Sequence, residues 1–262
     1  MCRPAGSWNR WQPLTPGTRV AALRRSSPWG WAEALGRLST WPRVGPWPRS
    51  TPQLDLLFAQ IGHLAGVGPK RYAAHGTVVE PGTTLLTLRG DGMDPQVREV
   101  AYGTPLEEVL DEAEMLRPLL LGGYHGTWLT PAQLRGLTVS RNDIAAAGAT
   151  LGAGVMLPLA DGWCPLVRTA ALVDYLAGQS AGRCGPCLNG LPAMAEALRS
   201  LVHGGGPVRR VEELCGLVVR RGACAHPDGT ARLVTSMLQR FPEEVDSHSL
   251  GTCRSSREGA LV

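Results

Sequence analysis

Two thiols, Cys184 and Cys187, sit two residues apart in the stretch SAGRCGPCLNGL, residues 180–191. A pair at that spacing can be a redox dithiol, half of a zinc site or part of an iron–sulfur cradle, since each needs sulfurs presented by one tight loop. Cys224 and His226 follow in RGACAHPDG. A redox dithiol sits directly after a central strand and needs more sheet downstream. Here residues 178–183 intervene and the remaining chain carries a helical period, which argues against a dithiol. Zinc asks for a second pair of ligands at short spacing, and only Cys224 and His226 offer one. An iron–sulfur cluster takes thiolates from loops at helix ends, which is where these three cysteines fall.

The elements that must position them are legible from apolar periodicity. Leu166, Val167, Ala170, Val173 and Leu176 form one helical stripe, and Leu191, Met194, Leu198 and Leu201 a second. Val211, Leu214, Cys215 and Val218 form a third, and Val234, Met237, Leu238 and Phe241 a fourth. Four amphipathic segments joined by glycine-rich loops predict a small four-helix bundle. Cys184 and Cys187 then precede the second helix and Cys224 the fourth, so the intervening helices run out and back and bring the three thiols to one end. Asp228 reads as the N-cap of the fourth helix.

Upstream, VVEPGTTLLTLRGDGMDPQVREVAYG predicts two strands, 83–89 and 97–102, joined around Gly90-Asp91-Gly92. A helical face follows at Leu106, Val109, Leu110 and Ala113, then short apolar runs at 119–121 and 155–159. This predicts an α+β fold: a β-grasp, ubiquitin-like domain followed by the bundle. Glu107, Glu108, Asp111, Glu112 and Glu114 read as one solvated helix face. Gly148, Gly152 and Gly154 lead into a strand and open no helix, which argues against phosphate binding. The expected organisation is a disordered Trp/Arg/Pro-rich tail over 1–50, a connecting helix over 51–75, the β-grasp domain over 76–160, the bundle over 161–250 and a disordered tail over 251–262.

Composition narrows the function. The net charge of +4 arises in residues 1–50, where eight arginines face one acid, Glu33; the rest of the chain sums to −3, so nucleic-acid binding lacks an electrostatic basis. No apolar run reaches the roughly 20 residues of a bilayer span, and no direct membrane insertion is expected. Seven irregularly spaced cysteines without an apolar leader suit a reducing cytoplasm.

The run EPGTTLLTLRG, GGYHGTWL, AAGATLGAGV, SAGRCGPCLNG, RGACAHPDG and SMLQRFPEEVDSH, in that order, resembles the C-terminal half of the NADH-binding flavoprotein, the F subunit, of NADH-quinone oxidoreductase (complex I). The resemblance covers roughly residues 52–250 and extends to diaphorase subunits of NAD-dependent hydrogenases and formate dehydrogenases. It implies a soluble-ligand-binding β-grasp domain and a helical bundle holding a 4Fe-4S cluster on Cys184, Cys187 and Cys224. It also implies partners, a flavoprotein and other iron–sulfur subunits, and no catalytic residue in this chain.

Two departures from the family stand out. The family places three cysteines as C-x2-C-x2-C in this loop, and the first of them falls on Ala181. The cluster is then a 4Fe-4S completed by another group or a 3Fe-4S form; Cys215 reads as core packing, and His226 is the next candidate, with a histidine at the surface or beside the ligands as its alternative. Arg183 is a candidate donor to the cluster. Cys2, Cys164 and Cys253 read as bystanders, and His203 and His248 as solvated. The second departure is that the family's glycine-rich FMN and NADH loop has no counterpart, so the chain is not expected to oxidise NADH alone. The expectation is an electron-transfer module; its alternatives are a protein-interaction module with a lost or structural cluster, or a truncated gene product whose reading frame changes near residue 51.

Overall fold

The computed structural model of the protein describes residues 61–89 and 95–254. The tail read over 1–50, the Gly90-Asp91-Gly92 loop and residues 255–262 lie outside the described residues. Within them the chain forms a five-stranded mixed sheet followed by a helical region. The strands are β1 (Thr83–Leu88), β2 (Gln96–Ala101), β3 (Leu119–Leu121), β4 (Thr127–Leu129) and β5 (Val155–Pro158). Their spatial order is β2-β1-β5-β3-β4, with β1 parallel to β5 and every other pair antiparallel. Strand β4, in the GGYHGTWL segment, is an addition to the strands predicted above.

β1 alternates half-buried and buried residues, as a strand with one face on a core must. β3 and β4 are buried on both faces. Leu119, Leu121 and Leu129 join the core beneath the sheet with Leu86, Met156, Leu106 and Ile144. Leu120 and Trp128, of opposite parity, point into the helical core instead. β5 enters beside β1 through Gly154, whose left-handed φ of 68° and closeness to the Leu85 carbonyl leave no room for a Cβ. Glycines 148, 152 and 154 are therefore turn devices.

The helix expected around Leu106 to Ala113 is instead two single turns, Leu106–Val109 and Glu112–Met115, broken at the extended Leu110. Asp111 accepts the Glu114 N–H at 2.7 Å, and Glu114 accepts the Asp111 N–H at 2.8 Å. This capping box stops one turn and starts the next, and the buried Glu114 departs from the solvated face on which Asp111, Glu107, Glu108 and Glu112 remain exposed.

The helical region holds α1 (Pro165–Gly178), α2 (Leu191–Val202), α3 (Val208–Val218), α4 (His226–Arg240) and α5 (Pro242–Ser249). The four stripes read from sequence are α1 to α4; Pro242 ends the fourth and begins α5. α1 packs on α2 and α4, α3 bridges α2 and α4, and α5 lies on α2. Their apolar stripes make one core, including Leu166, Val173, Leu198, Val211 and Val234. α4 covers the edge strand β4, where the Trp128 N–H donates to Ser236 Oγ at 3.1 Å. That bond satisfies an edge donor that would otherwise seek another strand. Among the described residues no helix is long and apolar enough to cross a membrane.

Candidate metal centre

The chain leaves α1 at Gly178, crosses the loop that carries Cys184, and enters a five-residue π-helical turn, Pro186–Gly190, that runs straight into α2. The Leu188 N–H closes onto the Cys184 carbonyl at 2.9 Å, so Cys184 opens this helical path and Cys187 lies inside its first turn. Gly190 abuts Val218 so closely that a Cβ would collide with it, which lets the turn meet the end of α3. A helix precedes the pair, and the strand a redox dithiol needs is absent there.

The second loop begins where α3 ends. Arg220 takes a left-handed φ of 59°, and its N–H donates to Asp228 Oδ1 at 2.7 Å. Asp228 therefore sits inside the first turn of α4 and ties down the preceding loop; it is not the N-cap expected from sequence, because α4 begins earlier, at His226. This loop delivers Cys224 and the N–H of Ala223 to the first.

The geometry brings Cys184, Cys187 and the Cys224 loop together. The N–H groups of Ala223 and Cys187 donate to the Cys184 sulfur and hold its thiol below its ordinary pKa. Cys187 is buried; burial first, then its S–H bond to Cys184 and the nearby charges of Cys184 and Cys224, push its thiol up. Cys184 is half-buried and Cys224 exposed, so the group lies at the surface with one side open. A thiol whose ionised form is favoured by two backbone donors, beside two further thiols on loops at helix ends, is a donor set that fits an iron–sulfur cluster.

The remaining candidates are spread out. Arg183 and Ala181 are exposed in the loop. Cys215 is buried in the helical core, and burial pushes its thiol up to about 11. His226 Nε2 lies 3.0 Å from the Leu176 carbonyl, which can only accept, so that nitrogen carries the proton and only Nδ1 is left as a ligand. His125, which the sequence did not single out, packs edge-on against His226 with ring centroids 5.0 Å apart. Its Nε2 is buried without a hydrogen-bond partner among the described residues, and burial lowers its pKa. Nothing local marks His125, since it reaches this place only when the β3–β4 loop folds onto α4.

His248, read as solvated, is buried, whereas Cys164 and Cys253 stand apart from the cysteine loops. Cys164 and His248 are buried, at 5% and 2% exposure, and both lie against Cys253 and Glu244 at the other end of the helices. His203 is exposed, as expected.

A mixed sheet packed on a helical region with clustered thiols thus defines an α+β protein with a candidate metal centre. Residues 168–248, from within α1 to α5, match the family described as NADH-ubiquinone oxidoreductase-F iron-sulfur binding region. The chain is homologous to the F subunit of NADH-quinone oxidoreductase over about 65–75% of its length. The homologous protein of Salmonella typhimurium is 30% identical over 181 residues, which cover 64% of this chain and 40% of that protein. That of Streptomyces coelicolor is 25% identical over 202 residues, covering 74% and 45%. The chain therefore spans less than half the length of these relatives. Among solved structures, NAD+-reducing [NiFe]-hydrogenase in its H2-reduced state aligns with a TM-score of 0.65 at 21% identity, covering 79% of this chain and 37% of that one.

Proposed function

We propose that the protein is an electron-transfer module in which Cys184, Cys187 and Cys224 hold an iron–sulfur cluster of the 4Fe-4S or 3Fe-4S type. The observation that carries this reading is the bond from the Ala223 N–H to the Cys184 sulfur, which joins two loops far apart in sequence around three thiols. When bound, the cluster supplies one-electron transfer. The chain favours the ionised form of Cys184, buries Cys187 and leaves the Cys224 side open for an electron partner. His226 Nδ1 is the fourth ligand of choice, because Cys215 is enclosed by the core.

The domain reading is a connecting helix over 51–75, a β-grasp domain over 76–160 and a helical bundle over 161–250. The sheet order, with its parallel β1–β5 pair at the centre, and the two separate apolar cores support that division. The partners are a flavoprotein and other iron–sulfur subunits of a cytoplasmic complex, with support from the named relatives, which are subunits.

The test is iron and acid-labile sulfide content with an electron paramagnetic resonance spectrum, on protein purified without oxygen, compared with Cys187→Ser. A near-stoichiometric cluster lost in the variant is expected. Absence of iron after reconstitution would overturn the reading and favour an interaction module, for which the exposed Ala181 in place of a thiol is the supporting observation.

A further inference from the structure

We infer that Cys164, Glu244, His248 and Cys253 form a second metal site, for a zinc-like divalent cation, at the end of the helices away from the cysteine loops. Cys164 precedes α1, whereas Cys184 follows it; α1 has 14 residues, so its length puts about 21 Å between the two ends. The two donor sets share no residue.

The four ligand atoms lie within 4.8 Å of one another. Cys164 Sγ is 3.3 Å from His248 Nε2 and 3.8 Å from Glu244 Oε2. Zinc bonds of about 2.3 Å to sulfur and 2.0–2.1 Å to nitrogen or oxygen give tetrahedral edges of roughly 3.3–3.8 Å. The two separations from Cys164 fall close to such edges, and the 4.8 Å limit on the other pairs leaves only a small inward movement of side chains for an ion to close. Two thiols, an imidazole and a carboxylate are also the donor types zinc prefers.

The surroundings orient these groups toward a common centre. His248 Nδ1 lies 2.7 Å from the Val202 carbonyl at the end of α2. A carbonyl only accepts, so Nδ1 carries the proton and Nε2 turns its lone pair on the cluster, the arrangement that fixes a metal-binding histidine. Glu244 and His248 are one helical turn apart on α5. The Gly251 N–H donates to the His248 carbonyl and the Thr252 N–H to that of Ser247, both at 2.9 Å. Gly251 has a left-handed φ of 72°, and this C-terminal turn reverses the chain so that Cys253 returns to the cluster. Arg254, the nearest cation in sequence, is ion-paired with Glu243. With Cys164 and His248 both buried, a substrate has no access, and a closed structural ion is the use that remains. It clamps the start of α1, the end of α2, α5 and the segment after it.

The test uses the full chain, purified under reductant, in two forms: the parent, and a variant with Cys184, Cys187 and Cys224 all changed to Ser, so that no metal is held by the other loops. Each is titrated with Co2+, then with Zn2+. We expect one equivalent of cobalt in the triple variant, with thiolate-to-cobalt charge-transfer and tetrahedral ligand-field bands, displaced by zinc. Adding Cys253→Ser, at a half-buried position beyond α5, should weaken binding at least tenfold while circular dichroism stays unchanged. Should the triple variant not fold, zinc counted per chain beside iron in the parent and in Cys253→Ser decides the same question. Zinc bound equally with and without Cys253, folded protein that takes up neither metal, or a Cys164–Cys253 disulfide in the unreduced protein would each overturn the inference.

Discussion

Trp128 Nε1 donates to Thr169 Oγ1 at 2.9 Å, tying strand β4 of the sheet to helix α1. Both residues are buried, and the Trp128 ring also meets Phe241 edge-on at 6.1 Å. Removing one partner leaves the other unpaired in the core, which costs about 1–3 kcal/mol. Trp128→Phe and Thr169→Val should each lower the urea midpoint, and the double variant should lose less than the sum of the two. Additive losses would mean that the bond does not couple sheet to helices.

Ala181→Cys restores the C-x2-C-x2-C spacing in an exposed loop and should cost no packing. Iron should rise toward about four per chain, with a slower loss of visible absorption in air than in the parent. An unchanged iron content and decay would show that residue 181 cannot reach the cluster.

Burial pushes the Cys215 thiol up to about 11 from an ordinary value near 9. Raised in the folded state, this group leaves stability intact below about pH 9 and lowers it as pH rises through 11, by up to about 2–3 kcal/mol. Urea midpoints at pH 8 and pH 10.5 should therefore separate more in the parent than in Cys215→Ala. In the native protein at pH 8, Cys215 should resist alkylation and react only on unfolding.

Gly229 lies in the first half of α4, where alanine ordinarily stabilises a helix by about 0.5–1 kcal/mol. A Cβ there would sit 2.6 Å from the His125 ring and 2.7 Å from its Cβ. Gly229→Ala should therefore destabilise, and thermal melting is the measurement. A higher midpoint would show that the β3–β4 loop moves aside freely.

The division between sequence and tertiary structure is clear at particular residues. Helices α1 to α4 were legible because a helix facing one core needs an apolar residue every three to four positions, and Leu166 to Leu176 or Val211 to Val218 can serve nothing else. β1 was legible from Thr83 to Leu88 for the same reason with period two. Strand β4 was not, because Thr127 to Leu129 is buried on both faces and carries no alternation. The break at Leu110 was hidden because Glu114 looks like a surface acid until its capping bonds with Asp111 are seen.

Cys184, Cys187 and Cys224 were identifiable as a group, since helix count and loop position alone bring their loops to one end. The sequence thus determined the helical scaffold and the cysteines it presents. Only the tertiary structure decided that Cys164, Glu244, His248 and Cys253 meet, that His125 rests on His226, and that Trp128 reaches Thr169. Each of those contacts joins segments that no local period links, and they are set by how the sheet, α1 and α5 pack after their own hydrogen bonds are made.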